Sequence, residues 1–123
     1  MLDVHTASTA ALAYLGDAVI ELCVRRRLCE AGYSSSKSLN AHALNYVRAA
    51  AQAQAMERLL PHLTAEEDAV FHRGRNIGHT NTPKNATVAQ YRSATGMEAL
   101  FGYLHATGNT ARIEELFALA YPN

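Results

Sequence analysis

The sequence predicts an all-α fold, a helical bundle, on three observations. Alanine is the commonest residue and leucine is plentiful, whereas valine and isoleucine, which favour strands, are sparse. No stretch alternates apolar and polar residues with the period of two that a half-buried strand needs. Helix-starting and helix-stopping residues punctuate the chain instead.

The first helix starts at Ser8 or Thr9, whose hydroxyl can cap it, and stops before Gly32. Leu12, Leu15, Val19 and Leu22 recur at helical spacing and are expected to face the core. Ala13, Asp17, Glu21 and Arg25 follow at i, i+4 along a different face. The Ser-rich run 34–38 is a loop and the entry to a second helix, which carries Leu39, Val47 and the Ala-rich stretch to Leu60. Pro61 ends it, because proline has no N–H and clashes with the preceding turn. Thr64 and Glu67 have capping-box spacing for a third helix towards Arg73. Residues 74–86, GRNIGHTNTPKNA, are expected to be the only long irregular segment. A fourth helix follows to about Ala106 and stops at Gly108, and a short last one covers roughly 110–120. No repeat or long linker divides the chain, and 123 residues suffice for one domain with its own core.

Composition narrows the setting. Cys23 and Cys29 lie six apart on one helix, so they point to different faces and cannot bridge each other; free buried thiols are expected, which suits a reducing cytoplasm. The six histidines are scattered and none has zinc-ligand spacing with a cysteine. The first residues, MLDVHTAST, lack a basic segment followed by an apolar core, so no signal peptide is expected. No apolar run approaches the roughly 20 residues that span a bilayer. Formal net charge is zero, which does not by itself point to nucleic acid. The distribution does. Between Asp68 and Glu98 there is no acid, while Arg73, Arg75, Lys84 and Arg92 fall there, with His72 and His79. Arginine forks pair with phosphate oxygens, and the glycines of this segment let backbone N–H groups approach. The plainer reading is a solvated basic loop. The six tyrosines are not interleaved with cations, so no single-strand stacking platform is expected.

Two phrases carry the chemistry: LAYLGDAVIEL at 12–22 and GMEALFGYL at 96–104. Asp17 follows Gly16, and Glu98 lies between Gly96 and Gly102, each in apolar helical surroundings. An unpaired carboxylate is expensive to desolvate, so two of them brought together would make a site for a hard divalent cation. Asp17 could instead belong to an exposed ladder with Glu21 and Arg25, and Glu98 could be a solvated face residue. Mid-helix glycine costs about 1 kcal/mol against alanine, so Gly16 and Gly102 mark close helix–helix contact, with a dimer interface among the options.

LGDAV at 15–19 followed by MEALFGYL at 97–104 resembles the two active-site helices of the ribonuclease III family. The short length, AYLGDAV, RGRN at 73–76, TPKN at 82–85 and YRSATGMEALFGYL look more specifically like the family's short bacterial subgroup, which consists of the catalytic domain alone. The resemblance runs from about Leu12 to Phe117. It implies a helical endonuclease domain, without a separate double-stranded-RNA-binding domain, that dimerises and cuts double-stranded RNA with Mg²⁺ or Mn²⁺. The ends left are 5′-phosphate and 3′-hydroxyl, and the implied substrate is precursor large-subunit (23S) ribosomal RNA. Asp17 and Glu98 match the family's retained acids and are the expected catalytic and metal-binding residues; Glu21 is the nearby acid nominated for a second ion. Arg73, Arg75, Lys84 and Asn85 are the expected RNA contacts. Affinity would come from this domain, from its dimer, or from a ribosomal protein that presents the RNA. Full-length family members have further acids where this chain has Ala13 and Thr95, which implies a leaner metal site. Those two positions also sustain the alternative, a non-catalytic double-stranded-RNA or ribosome-assembly module on the same fold. A carboxylate-bridged di-metal bundle lacks its Glu-x-x-His pairs.

Overall fold

The computed structural model describes residues 2–77 and 86–123, and the described residues are all-α, as predicted. The helices are α1 (Thr9–Glu30), α2 (Ser36–Val47), α3 (Ala49–Leu59), α4 (Ala65–Arg75), α5 (Val88–Ala106) and α6 (Thr110–Ala120), with a 3-10 turn at Leu60–His62. Their ends follow local chemistry. The Ser8 hydroxyl accepts from the Ala11 N–H at 3.0 Å and starts α1. Gly32, at φ 97°, stops it, with the Tyr33 N–H donating back to the Leu28 carbonyl. The Thr64–Glu67 capping box forms in both directions, and a second one, Thr87–Gln90, starts α5. Gly108, at φ 74°, ends the turn after α5.

One predicted helix is two. The stretch from Leu39 to Leu60 breaks at Arg48, whose backbone is extended at ψ 146°. The break has a packing cause. Leu39, Ala43, Tyr46 and Val47 of α2 pack on the core from one direction, while Gln52, Ala55, Met56 and Leu59 of α3 are buried in another. A straight helix could not turn both stripes inward. The third predicted helix also continues to Arg75 rather than ending at Arg73.

Helix α5 is the centre of the bundle. Met97, Ala99, Leu100 and Phe101 are fully buried, and α1, α3, α4 and α6 all pack on it. Val19, Ile20, Val24 and Leu28 of α1 join Met56, Leu59, Leu116 and Phe117 in the main core. Of the stripe expected on α1, Leu12 and Val19 are buried, but Leu22 is 65 % exposed. The 3.6-residue repeat rotates the stripe, and Ile20 and Val24 take the inward place. Cys23 is buried and Cys29 is exposed, so only one of the two thiols lies in the core. Glu67 is almost fully buried and forks to Arg112, which also donates to the His62 carbonyl at 2.7 Å, tying α4 to α6. No helix is long and apolar enough to cross a membrane among the described residues.

Candidate active site

Helices α1 and α5 touch backbone to backbone. A Cβ built on Gly16 would stand 1.6 Å from the Glu98 carbonyl oxygen, and one on Gly102 would stand 1.9 Å from that of Leu12. No side chain fits either place. Gly16 lies opposite Glu98, and Leu12 opposite Gly102, so the two helices run antiparallel. The glycine contact that the sequence suggested is therefore within the chain and accounts for both residues without a dimer interface.

This crossing sets the two acids together. Asp17 is exposed and Glu98 half-buried, and their carboxyl groups lie close enough for each to act on the other. Burial, and after it the Asp17 charge and hydrogen bond, push the Glu98 carboxyl up to about 8. Among the described residues, neither acid has a cationic side chain at ion-pair distance. Two facing carboxylates with nothing positive between them are unfavourable alone. A hard divalent cation relieves that repulsion, and an all-oxygen donor pair suits Mg²⁺ or Mn²⁺, which keep waters and accept substrate phosphate. The residues present fit such an ion.

The surroundings leave the pair lean. In the antiparallel register Ala13 and Thr95 lie on opposite sides of it. Ala13 is buried against Val70 and Ala99, with Tyr103 beside them. The Thr95 hydroxyl donates to the Tyr91 carbonyl at 3.0 Å. Glu21 accepts from Arg25 at 3.0 Å, the surface ladder that its spacing allowed. Among the described residues no three His, Cys, Asp or Glu side chains gather into one metal-binding group.

A second tight contact brings in the basic segment. A Cβ on Gly74 would meet the Ala99 Cβ at 2.7 Å and the Gly96 Cα at 2.8 Å. A Cβ on Gly96 would meet the Phe71 ring at 2.6 Å. The last turn of α4 is thereby pinned to α5 just before Glu98, with Arg73 and Arg75 exposed on it. Neither arginine forms an ion pair among the described residues. Cations in the last turn also suit the helix dipole, so their presence there has a structural use as well. Arg92 is exposed early in α5. Lys84, Asn85 and His79 lie outside the described residues. Gly96, like Gly102, invites close packing in the sequence, but Gly74 reads there only as part of the basic segment, and α4 as the partner of Gly96 was not foreseen. Sequence reading also missed Tyr103, whose hydroxyl donates to Glu66 at 3.2 Å across α4 and α5.

Fold and site together define a helical domain with a paired carboxylate at its central crossing, and comparison with known proteins identifies the class. Residues 10–109 match the Ribonuclease III domain family, and the chain belongs to that family. It is 48 % identical over 109 residues to the Mini-ribonuclease 3 of Symbiobacterium thermophilum, covering 89 % of this chain and 84 % of that one. It is 42 % identical over 118 residues to the Mini-ribonuclease 3 of Streptococcus pneumoniae, covering 94 % and 92 %. A crystal structure of a Fusobacterium nucleatum protein superposes with a TM-score of 0.85 at 28 % identity, covering 97 % of this chain and 95 % of that one.

Proposed function

We propose that the chain is a Mg²⁺-dependent endoribonuclease that hydrolyses double-stranded RNA, leaving 5′-phosphate and 3′-hydroxyl ends. The observation that carries this reading is the facing Asp17–Glu98 pair at a glycine-tight crossing, in a chain of the ribonuclease III family. Asp17 and Glu98 would hold the cation, with water and RNA phosphate completing its shell. Such a cation supplies a lowered pKa for the attacking water and offsets the charge that builds on the phosphate. Glu21 is left out of the set, since Arg25 holds its carboxylate.

Arg73 and Arg75 would pair with phosphates of the duplex, from the turn of α4 that Gly74 packs against Gly96 and Ala99 of α5. Lys84 and Asn85 are assigned the same role from the sequence. The substrate is precursor 23S ribosomal RNA in the cytoplasm. The resemblance to the short subgroup supports that substrate, and two unbridged cysteines support a reducing compartment. The enzyme acts as a homodimer through α1, where Tyr14 and Leu22 are 86 % and 65 % exposed on one side of the helix. A ribosomal protein that presents the RNA would add the affinity that a neutral chain lacks.

The test is single-turnover cleavage of a labelled RNA duplex with Mg²⁺ and with chelator. Asp17→Asn and Glu98→Gln should each abolish turnover while RNA binding and the cooperative melt persist. The double variant should be little worse than either single one, because residues acting as a unit are non-additive. An Asp17→Asn protein that cleaves within a few-fold of the parent would sink the assignment. A parent that binds the duplex and never cuts it would establish the non-catalytic module that Ala13 and Thr95 also permit.

A further inference from the structure

We infer that Gly16 and Gly102 are positioning residues for the carboxylate pair: their backbone-to-backbone contact between α1 and α5 sets the separation of Asp17 and Glu98, and with it the affinity for a divalent cation. The inference rests on the proposal that these two acids hold the metal.

Asp17 is covalently next to Gly16, and the backbone carbonyl that Gly16 faces belongs to Glu98 itself. The contact and the site are therefore the same two places on the same two helices. Any Cβ on Gly16 overlaps the Glu98 carbonyl oxygen, at 1.6 Å, and would also lie 2.7 Å from the Gly102 nitrogen. Backbone atoms of two packed helices cannot turn aside as the end of a flexible side chain can. An added methyl must move one helix away from the other, and the acids move with them. One turn away, Gly102 closes the same seam against Leu12.

The α4–α5 contact is a control that the fold itself supplies. Gly74 and Gly96 make a close approach of the same kind on a different side of α5. Opening it moves α4 against α5, while α5 stays packed on α1, α3 and α6, so the seam between Asp17 and Glu98 is kept. If tight packing merely stabilises the bundle, the two contacts should be equivalent. If the α1–α5 contact positions the acids, only its loss should change metal affinity.

The measurement is Mn²⁺ binding to the full chain without RNA, followed by electron paramagnetic resonance, with thermal melting for stability. Gly16→Ala should weaken Mn²⁺ binding by about 10- to 100-fold, the range seen when groups that orient metal ligands are removed. Gly74→Ala, also destabilised, should bind within about twofold of the parent, since its acids keep their places. Should Gly16→Ala fail to fold, Ala13→Val enlarges a buried α1 residue that packs on Ala99, next to Glu98, as well as on Val70, and should weaken Mn²⁺ binding in the same direction. A folded Gly16→Ala or Ala13→Val chain that binds Mn²⁺ like the parent overturns the inference. So does an equal loss in Gly74→Ala, which would make the effect one of general stability. A parent that binds no Mn²⁺, or an Asp17→Asn chain that binds it as well as the parent, removes the metal reading itself. That result is told apart because it is seen before any glycine is changed.

Discussion

At the scale of single residues, two glutamates pull stability in opposite directions with pH. Glu98 is raised to about 8 from 4.5, so between those values the folded chain holds a proton that the unfolded chain has lost. The folded state then binds more protons, and stability falls as pH rises through that window. Glu67 is lowered by its hydrogen bond to Arg112, so its contribution is present above the ordinary carboxylate range and lost as pH falls through the folded value. Thermal melts in chelator should therefore decline from about pH 5 to pH 8, whereas Glu98→Gln should flatten that slope and melt higher than the parent at pH 8. Excess Mg²⁺ should raise the melting temperature more at pH 8 than at pH 5, because only the ionised pair binds it well. A parent melt that is flat from pH 5 to 8 would contradict the raised Glu98 carboxyl. Arg112→Ala strands the buried Glu67 and should cost about 3 kcal/mol, read as a fall in the denaturant midpoint.

At the scale of elements, α4 ends in a charged turn that α5 holds in place. Arg73 and Arg75 lack acidic partners among the described residues, so their charge is free for phosphate. Replacing both by alanine should weaken duplex binding and flatten its log–log salt dependence by about one unit per arginine, measured by titration at several salt concentrations. An unchanged slope would leave them as the dipole-compensating end of a solvated helix. The elements also show what was legible in the chain. Ser8, Gly32, the Thr64–Glu67 box and Gly108 act through neighbours a few residues away, and each boundary they mark was readable. The break at Arg48 was not. No glycine or proline marks it, and its cause is a choice of packing partners made across the bundle. Leu22 shows the same limit on one helix. Its spacing is apolar and helical, but which of two adjacent stripes turns inward depends on where α5 lies. For the site, the acids were legible because a charge in an apolar phrase is conspicuous. Which glycine meets which was not, since Gly16 and Gly102 signal closeness without naming a partner.

At the scale of the whole molecule, the exposed side of α1 bears on assembly. Tyr14, Ala18 and Leu22 recur at i, i+4 on that helix, all three exposed. Burying a leucine side chain stabilises by about 1.5–3 kcal/mol, so Leu22→Asp should dissociate a dimer formed through this surface while leaving the monomer's core untouched. Sedimentation would report half the parent mass with the helical content unchanged. A parent that sediments as a monomer at tens of micromolar, and still cleaves, would rule out the α1 interface.

The α1–α5 seam joins residues about eighty positions apart, Asp17 early in the chain and Glu98 late. Contacts so distant in sequence form only after the intervening chain has paid the entropy of closing the loop. On the proposed reading neither acid holds the cation alone, and neither reaches the other until α5 packs against α1. A growing chain on the ribosome therefore passes through most of its synthesis with half a site. On the proposed reading, a nuclease that acts on ribosomal RNA is made next to that RNA without the means to cut it. Folding is then the step that arms it.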